Sequence, residues 1–234
     1  MQAVILAAGQ GKRLFPLTKD IPKALVPVNG IPMLEIILKQ LKKVGITDVV
    51  VVIHHLKGQM LNYCEGSPFG MNIRCVEQKE MRGTGDAVLT AEKYITDKKF
   101  LCIAVDSLFE TSLLEKLLKS DSDGVITCKE VDDPRRYGIL VVDGKNVLDI
   151  VEKPVDAPSN LANLSVYLFP REIFAACKRL EPSLRGELEV TDAIKMLIKG
   201  GKKFTYVKTP NILDIGTQEQ LQEAEGLAKK LRLP

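Results

Sequence analysis

The sequence predicts one α/β domain built on an open, mixed but mainly parallel sheet flanked by helices, with a small antiparallel excursion. Three observations predict it. The short apolar runs Ala3–Ala8, Asp48–Ile53 and Phe100–Val105 have the composition of strands covered on both faces. Segments of helical periodicity alternate with them. Asp143-Gly144, set between two apolar runs, is a two-residue hairpin signal.

Taken in order, the first strand stops at Gly9, and the 23 positions from Gly9 to Ile31 carry Pro16, Pro22 and Pro27, which exclude a long helix. A loop of that length in an otherwise compact chain is usually functional. Pro32 then opens a helix over 33–44, with Leu34, Ile37, Leu38 and Leu41 on one face and Gly45 as its stop. Asp48–Ile53 and Ile73–Val76 are the next strands, Thr84–Ile95 a helix capped by Thr84, and Phe100–Val105 a strand. Gly124–Lys129, Gly138–Val142, Val147–Glu152 and Leu164–Phe169 are strands, and Arg171–Lys178 and Thr191–Lys199 helices. The last helix begins at the capping-box string Thr217-Gln218-Glu219-Gln220 and runs to about Leu231.

The 234 residues read as a single domain, 1–234, with no internal repeat, no linker and no hexapeptide array of a β-helix. Folded surface scaling gives roughly 10,500 Å² for a chain of this mass, and 45% hydrophobic content supplies a core. Lys plus Arg number 33 and Asp plus Glu 30, a net charge of +3. That excludes a disordered polyelectrolyte and a strongly basic nucleic-acid binder. The five cysteines show no CxxC spacing, as expected of reduced thiols in a cytoplasmic protein rather than a zinc site. No run approaches the ~20 apolar residues needed to span a bilayer, so no membrane partner is expected.

The first strand leads into Gly9-Gln10-Gly11-Lys12-Arg13-Leu14. Leu14 fails both a Walker A loop and a dinucleotide fingerprint, each of which needs Gly there. Two glycines beside Lys12, Arg13, Lys19 and Lys23 still favour a phosphate, through close backbone N–H groups and positive charge.

The longer string Leu6-Ala7-Ala8-Gly9-Gln10-Gly11-Lys12-Arg13-Leu14-Phe15-Pro16-Leu17-Thr18, followed by Pro22-Lys23-Ala24-Leu25-Val26-Pro27-Val28, resembles the signature of the nucleoside-triphosphate:sugar-1-phosphate nucleotidyltransferases. The resemblance continues, in order and spacing, through Gln78 with Gly83-Thr84-Gly85, Asp106-Ser107, Tyr137-Gly138 and Glu152-Lys153-Pro154. It goes on through Asn163 with Tyr167, Arg185-Gly186-Glu187 with Thr191-Asp192, and Asp214-Ile215-Gly216-Thr217. It implies a Rossmann-like, GT-A-like nucleotidyltransferase domain. The implied enzyme is Mg²⁺-dependent and transfers UMP or dTMP from UTP or dTTP to a sugar-1-phosphate, foremost glucose-1-phosphate, with release of pyrophosphate.

The attacking phosphate monoester has a second pKa of about 6, so it needs no general base, and none is evident beside His54 and His55. Catalysis would rest on cations and positioning. The resemblance implies Arg13 on the β- and γ-phosphates and Lys23 on the α-phosphate as the catalytic cations. It implies Ala8, Gly9, Gly11, Gln78, Gly83 and Asp106 around the nucleotide, with Gln78 offering a donor and an acceptor to the pyrimidine edge. Asp106 and Asp214 are the implied Mg²⁺ ligands. Glu152, Lys153, Asn163 and the backbone of Gly138 are the implied contacts to the sugar phosphate.

Four positions depart from the family pattern. Ala104-Val105 precedes Asp106 in place of a small polar residue and Gly, and the branched Val105 is expected to narrow the site. Asp86 stands where His or Gln is common, Asn163-Leu164-Ser165 replaces Asn-x-Gly, and Leu213 replaces Trp. Other acceptors (N-acetylmuramate-1-phosphate, mannose-1-phosphate, a non-sugar phosphate) and a non-catalytic nucleotide-sugar sensor remain alternatives. The oligomeric state is open, a homo-oligomer included.

Overall fold

The computed structural model describes residues 1–66 and 69–233. The chain begins with β1 (Gln2–Ala7), and after the glycine loop come α1 (Leu17–Asp20), β2 (Pro27–Val28), β3 (Ile31–Pro32) and α2 (Met33–Lys43). There follow β4 (Asp48–Ile53), α3 (Lys57–Glu65), β5 (Asn72–Glu77), α4 (Thr84–Thr90), β6 (Lys99–Ala104), β7 (Ser107–Phe109) and α5 (Thr111–Leu118). The second half holds β8 (Gly124–Glu130), β9 (Gly138–Asp143), β10 (Asn146–Glu152), β11 (Leu161–Pro170), α6 (Ile173–Cys177) and α7 (Val190–Lys199). It closes with β12 (Phe204–Lys208), β13 (Ile212–Asp214) and α8 (Gln218–Leu231).

Nine strands join in one sheet, ordered β5-β4-β1-β6-β11-β8-β12-β10-β9. The β5-β4-β1-β6 half is parallel, as the apolar runs predict. The antiparallel part reaches beyond the expected hairpin: β11 runs antiparallel to both β6 and β8, and β10 pairs with β9 and β12. Both halves are continuous through β11, so the chain folds around one sheet. Its accessible surface, 11178 Å², is close to the value expected from its mass.

Alternation along the buried strands sends side chains to two layers. On one face Ile5, Val49, Val51, Leu101 and Ile103 meet Leu34, Leu38 and Leu41 of α2 and Leu113 and Leu117 of α5. On the other, Val4, Val50, Phe100 and Cys102 meet Val88 of α4, Phe174 of α6 and Ile194 of α7. A third cluster joins Leu14, Val26 and Val28 of the glycine loop to Leu108, Leu213, Ile215 and Ala224. That cluster clamps the proline-broken loop against β7, β13 and α8.

Several boundaries differ from the sequence reading. The helix expected over 84–95 ends at Thr90 and finishes as a 3-10 turn, Glu92–Tyr94. Helix α3 went unread because its apolar residues show no clear stripe. Thr84 does not cap α4: Gly83 is the N-cap, and the Thr84 hydroxyl instead accepts from the Val190 N–H at 3.0 Å. The capping box of α8 is present, with Thr217 Oγ1 accepting from Gln220 N at 3.3 Å and Gln220 Oε1 from Gly216 N at 2.9 Å. Cys75, Cys102 and Cys128 lie on strands, and all five cysteines are free thiols. No helix among the described residues is long and apolar enough to cross a membrane.

Candidate active site

The chain runs from β1 outward to β4 and β5, then returns to add β6 on the other side of β1. Such a reversal leaves a crevice at the carboxyl ends of the two central strands. A cleft lies there, lined by Leu6, Ala8 and Gly9 after β1 and by Ala104, Val105 and Asp106 after β6. Lys23, Gln78 and Gly83 complete its polar wall and Tyr167 and Val190 its apolar one. Six of the sequence-derived nucleotide and catalytic residues therefore share one cleft: Ala8, Gly9, Lys23, Gln78, Gly83 and Asp106.

The remaining residues expected on the nucleotide side, Gly11 and Arg13, lie outside its lining. Gly11 has φ 65°, and a Cβ there would lie 3.0 Å from Thr18 Cγ2 and 3.3 Å from Lys23 Cβ. Glycine is thus required both by the left-handed backbone and by the approach of Lys23. The Arg13 guanidinium rests against Gly216, where a Cβ would come within 2.7 Å of Nη2. Arg13 is therefore held two residues beyond Asp214.

Antiparallel pairing of β7 with β13 sets Asp214 opposite Ser107. Ile215 N bonds Asp106 O at 2.8 Å. Two carboxylates 108 positions apart thereby become neighbours. Lys23, 8% exposed, donates from Nζ to Asp106 Oδ2, and Ser107 Oγ donates to Asp214 Oδ1 at 2.8 Å. Burial first, and the neighbouring Asp106 second, push the Asp214 carboxyl up to about 7. Among the described residues no group of three or more His, Cys, Asp or Glu could hold a metal. A dicarboxylate still fits Mg²⁺, which keeps waters and is completed by substrate phosphates. It does not fit a structural zinc, which needs four protein ligands. The raised Asp214 carboxyl is first the mark of a buried anion and second of the carboxylate beside it.

Gly83 has φ 120°, and a Cβ on it would lie 2.6 Å from the Leu188 carbonyl oxygen. Leu188 is clasped there by bonds of 2.7 Å, its N to Arg82 O and its O from Gly85 N. Gly83→Ala is expected to cost roughly 2–4 kcal/mol of stability, from strain at a positive φ plus the clash. A denaturant midpoint equal to that of the unaltered protein would refute a rigid clasp.

The sugar-phosphate residues gather at the other end. Glu152 pairs with Gly138 across β9 and β10, and a Cβ on Gly138 would lie 2.9 Å from Glu152 Oε2. The pairing of Ala162 with Ile139 puts Asn163 beside Gly138. Lys153 adopts φ 44°, an unusual conformation for a residue with a side chain, and its Nζ lies 3.9 Å from Glu152 Oε1. Asn163 Nδ2 donates to Tyr167 Oη at 2.9 Å, while its Oδ1 is buried without a partner. Tyr167 lines the cleft, so this bond links the two ends of the site.

Sequence reasoning gave no role to Arg185, Glu187 and Glu189. Arg185 Nη1 lies 3.8 Å from Glu152 Oε1 and 3.3 Å from Glu189 Oε1, and Glu187 lines the cleft. Burial and the Glu152 charge raise the Glu189 carboxyl above the usual range. The Arg185-Gly186-Glu187 string was the available signal. His54 holds the Gln78 carbonyl oxygen from Nδ1 at 2.7 Å. Val105 is 4% exposed, packs in the layer of Leu101 and Ile103, and still lines the cleft beside the small Ala104.

Comparison with known proteins agrees with this geometry. The nucleotidyl transferase family model matches residues 2–230. The bifunctional protein GlmU of Methanococcus aeolicus is 40% identical over 200 residues, covering 85% of this chain and 47% of its own. The UTP–glucose-1-phosphate uridylyltransferase AglF of Haloferax volcanii is 37% identical over 232 residues, covering 96% and 95%. A crystal structure of a Bacillus anthracis protein described as a glucose-1-phosphate thymidylyltransferase, in complex with sucrose, superposes with a TM-score of 0.86 at 30% identity. It covers 98% of this chain and 96% of that one. The chain spans about half the length of the GlmU relative and nearly all of the other two.

Proposed function

Because the chain belongs to the nucleotidyl transferase family, we propose that it transfers UMP or dTMP from UTP or dTTP to a sugar-1-phosphate, glucose-1-phosphate foremost, releasing pyrophosphate. The observation that carries this reading is the joining of Lys23, Asp106 and Asp214 at one end of a cleft whose wall holds Gln78. A cation paired with one of two neighbouring carboxylates suits chemistry in which two polyanions must meet.

In this reading an oxygen of the sugar phosphate attacks the α-phosphorus, and the bond from that phosphorus to the bridging oxygen of the β-phosphate breaks. The nucleophile is already ionised, so no side chain need take its proton. Lys23 stabilises charge gathering on the α-phosphate oxygens, and Arg13 receives the β- and γ-phosphates. Gly9 and Gly11 let the backbone approach the phosphates. Glu152 and Asn163 hold sugar hydroxyls, Lys153 the sugar phosphate, and Gly138 leaves room for both. Asp106 and Asp214 would hold Mg²⁺, which when bound neutralises phosphate charge. A pyrophosphate-release screen across four triphosphates and a panel of sugar-1-phosphates tests the reading. Turnover with UTP or dTTP is expected, and binding without turnover in saturating Mg²⁺ would refute it in favour of a sensor.

The Asp214 carboxyl gives a pH dependence with a definite sign. Its pKa lies near 7 in the fold and about 3.9 in an unfolded chain. Between those values the native state binds the extra proton, so metal-free stability falls as pH rises from about 4 to 7. Mg²⁺ requires the ionised carboxylate. Its stabilising effect is expected to be small at pH 5.5 and full at pH 8, read as the Mg²⁺-induced shift in Tm. Equal shifts at the two pH values would contradict this.

A further inference from the structure

Gln78 is almost wholly buried, 3% exposed, yet contributes to the cleft wall. Its backbone is fixed on both sides, N to Ile53 O at 2.9 Å and O from His54 Nδ1 at 2.7 Å. Its side-chain amide is held from behind. Nε2 donates to Asp86 Oδ2 at 2.8 Å and to the Gly83 carbonyl oxygen at 3.3 Å. The other Asp86 oxygen, Oδ1, is occupied by Arg82 Nη2 at 2.6 Å. Asp86 itself is 7% exposed on the first turn of α4 and lies outside the cleft lining.

These contacts fix which way the amide faces. Turning it over would set Oε1 against a carboxylate and a carbonyl, three acceptors with no proton among them. Both Nε2 protons are therefore spent. Among the described residues none donates to Gln78 Oε1, the one polar atom of the side chain left for a ligand. The donor-plus-acceptor pairing expected of a free glutamine is thereby reduced to an acceptor alone.

We propose that Asp86 is a positioning residue for base recognition, locking the Gln78 amide so that only its carbonyl oxygen meets the base. A lone acceptor selects a base with a ring N–H, here the N3–H of uracil or thymine. It rejects cytosine, whose N3 is itself an acceptor and would face Oε1 with no proton between them. This rests on the pyrimidine-nucleotide reading of the cleft given above.

Two measurements on the full chain test it, each by kcat/KM for pyrophosphate release. With the unaltered protein, N3-methyl-UTP is expected to be used at least tenfold less well than UTP, since the proton that Oε1 accepts is gone. In Asp86→Asn the new amide can donate as well as accept, and the Gln78 amide is free to turn. The UTP-to-CTP ratio is then expected to fall at least tenfold, through a gain with CTP, while KM for the sugar-1-phosphate stays within twofold. A merely structural role would lower both nucleotides together and leave the ratio alone. N3-methyl-UTP used within twofold of UTP overturns the inference, as does an unchanged ratio in a folded variant. Where Asp86→Asn does not fold, the methylated nucleotide decides. Preference of the unaltered protein for ATP or CTP overturns both the inference and the pyrimidine reading. Preference for GTP, which carries a ring N–H, that is lost in Asp86→Asn overturns the pyrimidine reading only.

Discussion

Lys23→Met is expected to lower kcat for pyrophosphate release by about 10³-fold while KM for the triphosphate moves less than about fivefold. The split follows from placement. Lys23 is buried beside the cleft and its ammonium is engaged with Asp106. In the proposed reaction its charge acts where negative charge grows in the transition state, whereas ground-state phosphate binding would fall mainly to the backbone of Gly9 and Gly11 and to Arg13. Methionine keeps the length of the stem and so preserves the contacts of its methylenes with Gly11. The substitution also removes the only ammonium, among the described residues, bonded to the carboxylate pair. A metal-free destabilisation of about 2 kcal/mol is expected, below the 3–5 kcal/mol of a fully buried pair because Asp106 keeps 25% of its side-chain exposure. Single-turnover and steady-state kinetics at saturating Mg²⁺ measure the first effect, and chemical denaturation in chelator the second. A kcat within threefold of the unaltered protein would remove Lys23 from the reacting centre.

Asp214→Asn is expected to act in opposite directions on activity and stability. The amide is isosteric, its oxygen can still accept from Ser107 Oγ, and it carries no charge to desolvate. Burial and Asp106 make the ionised Asp214 costly. Above pH 7, without metal, the variant should be more stable by roughly 2 kcal/mol, or about 4–8 °C in Tm for a domain of this size. The difference should shrink as pH falls from 7 and vanish only below about pH 4, where the carboxyl is protonated in the unfolded chain as well as in the fold. Activity should fall about 10²-fold or more, and the Mg²⁺-induced rise in Tm should flatten. A variant less stable than the parent at pH 8 in chelator would show that Asp214 is not strained by its surroundings. Stability given up for a site of like charges is a common cost of function.

Asp86 shows where residue identity stopped being informative. In the sequence it is one acidic residue in place of a His or Gln, and Gln78 is a polar residue five positions before Gly83. Nothing in their spacing says that the carboxylate turns the amide. That depends on α4 starting at Thr84 and returning Asp86 toward the end of β5, with Gly83 at φ 120° making the corner.

What the sequence determined by itself was whatever depends on local pattern. Apolar runs placed β1, β4 and β6. Proline and glycine delimited the glycine loop and α2, and the long string from Leu6 to Val28 identified the family. These are short-range matters of periodicity, backbone freedom and charge, and they survive in one dimension. Tertiary structure alone decided the pairing of Asp214 with Ser107, the seating of Arg13 on Gly216 and the gathering of Glu152, Asn163 and Arg185 at one sheet end. Each of these joins residues far apart in the chain through strand register or through the third core cluster. The physical reason is that register is set by burial of whole faces, a collective quantity that no single segment carries.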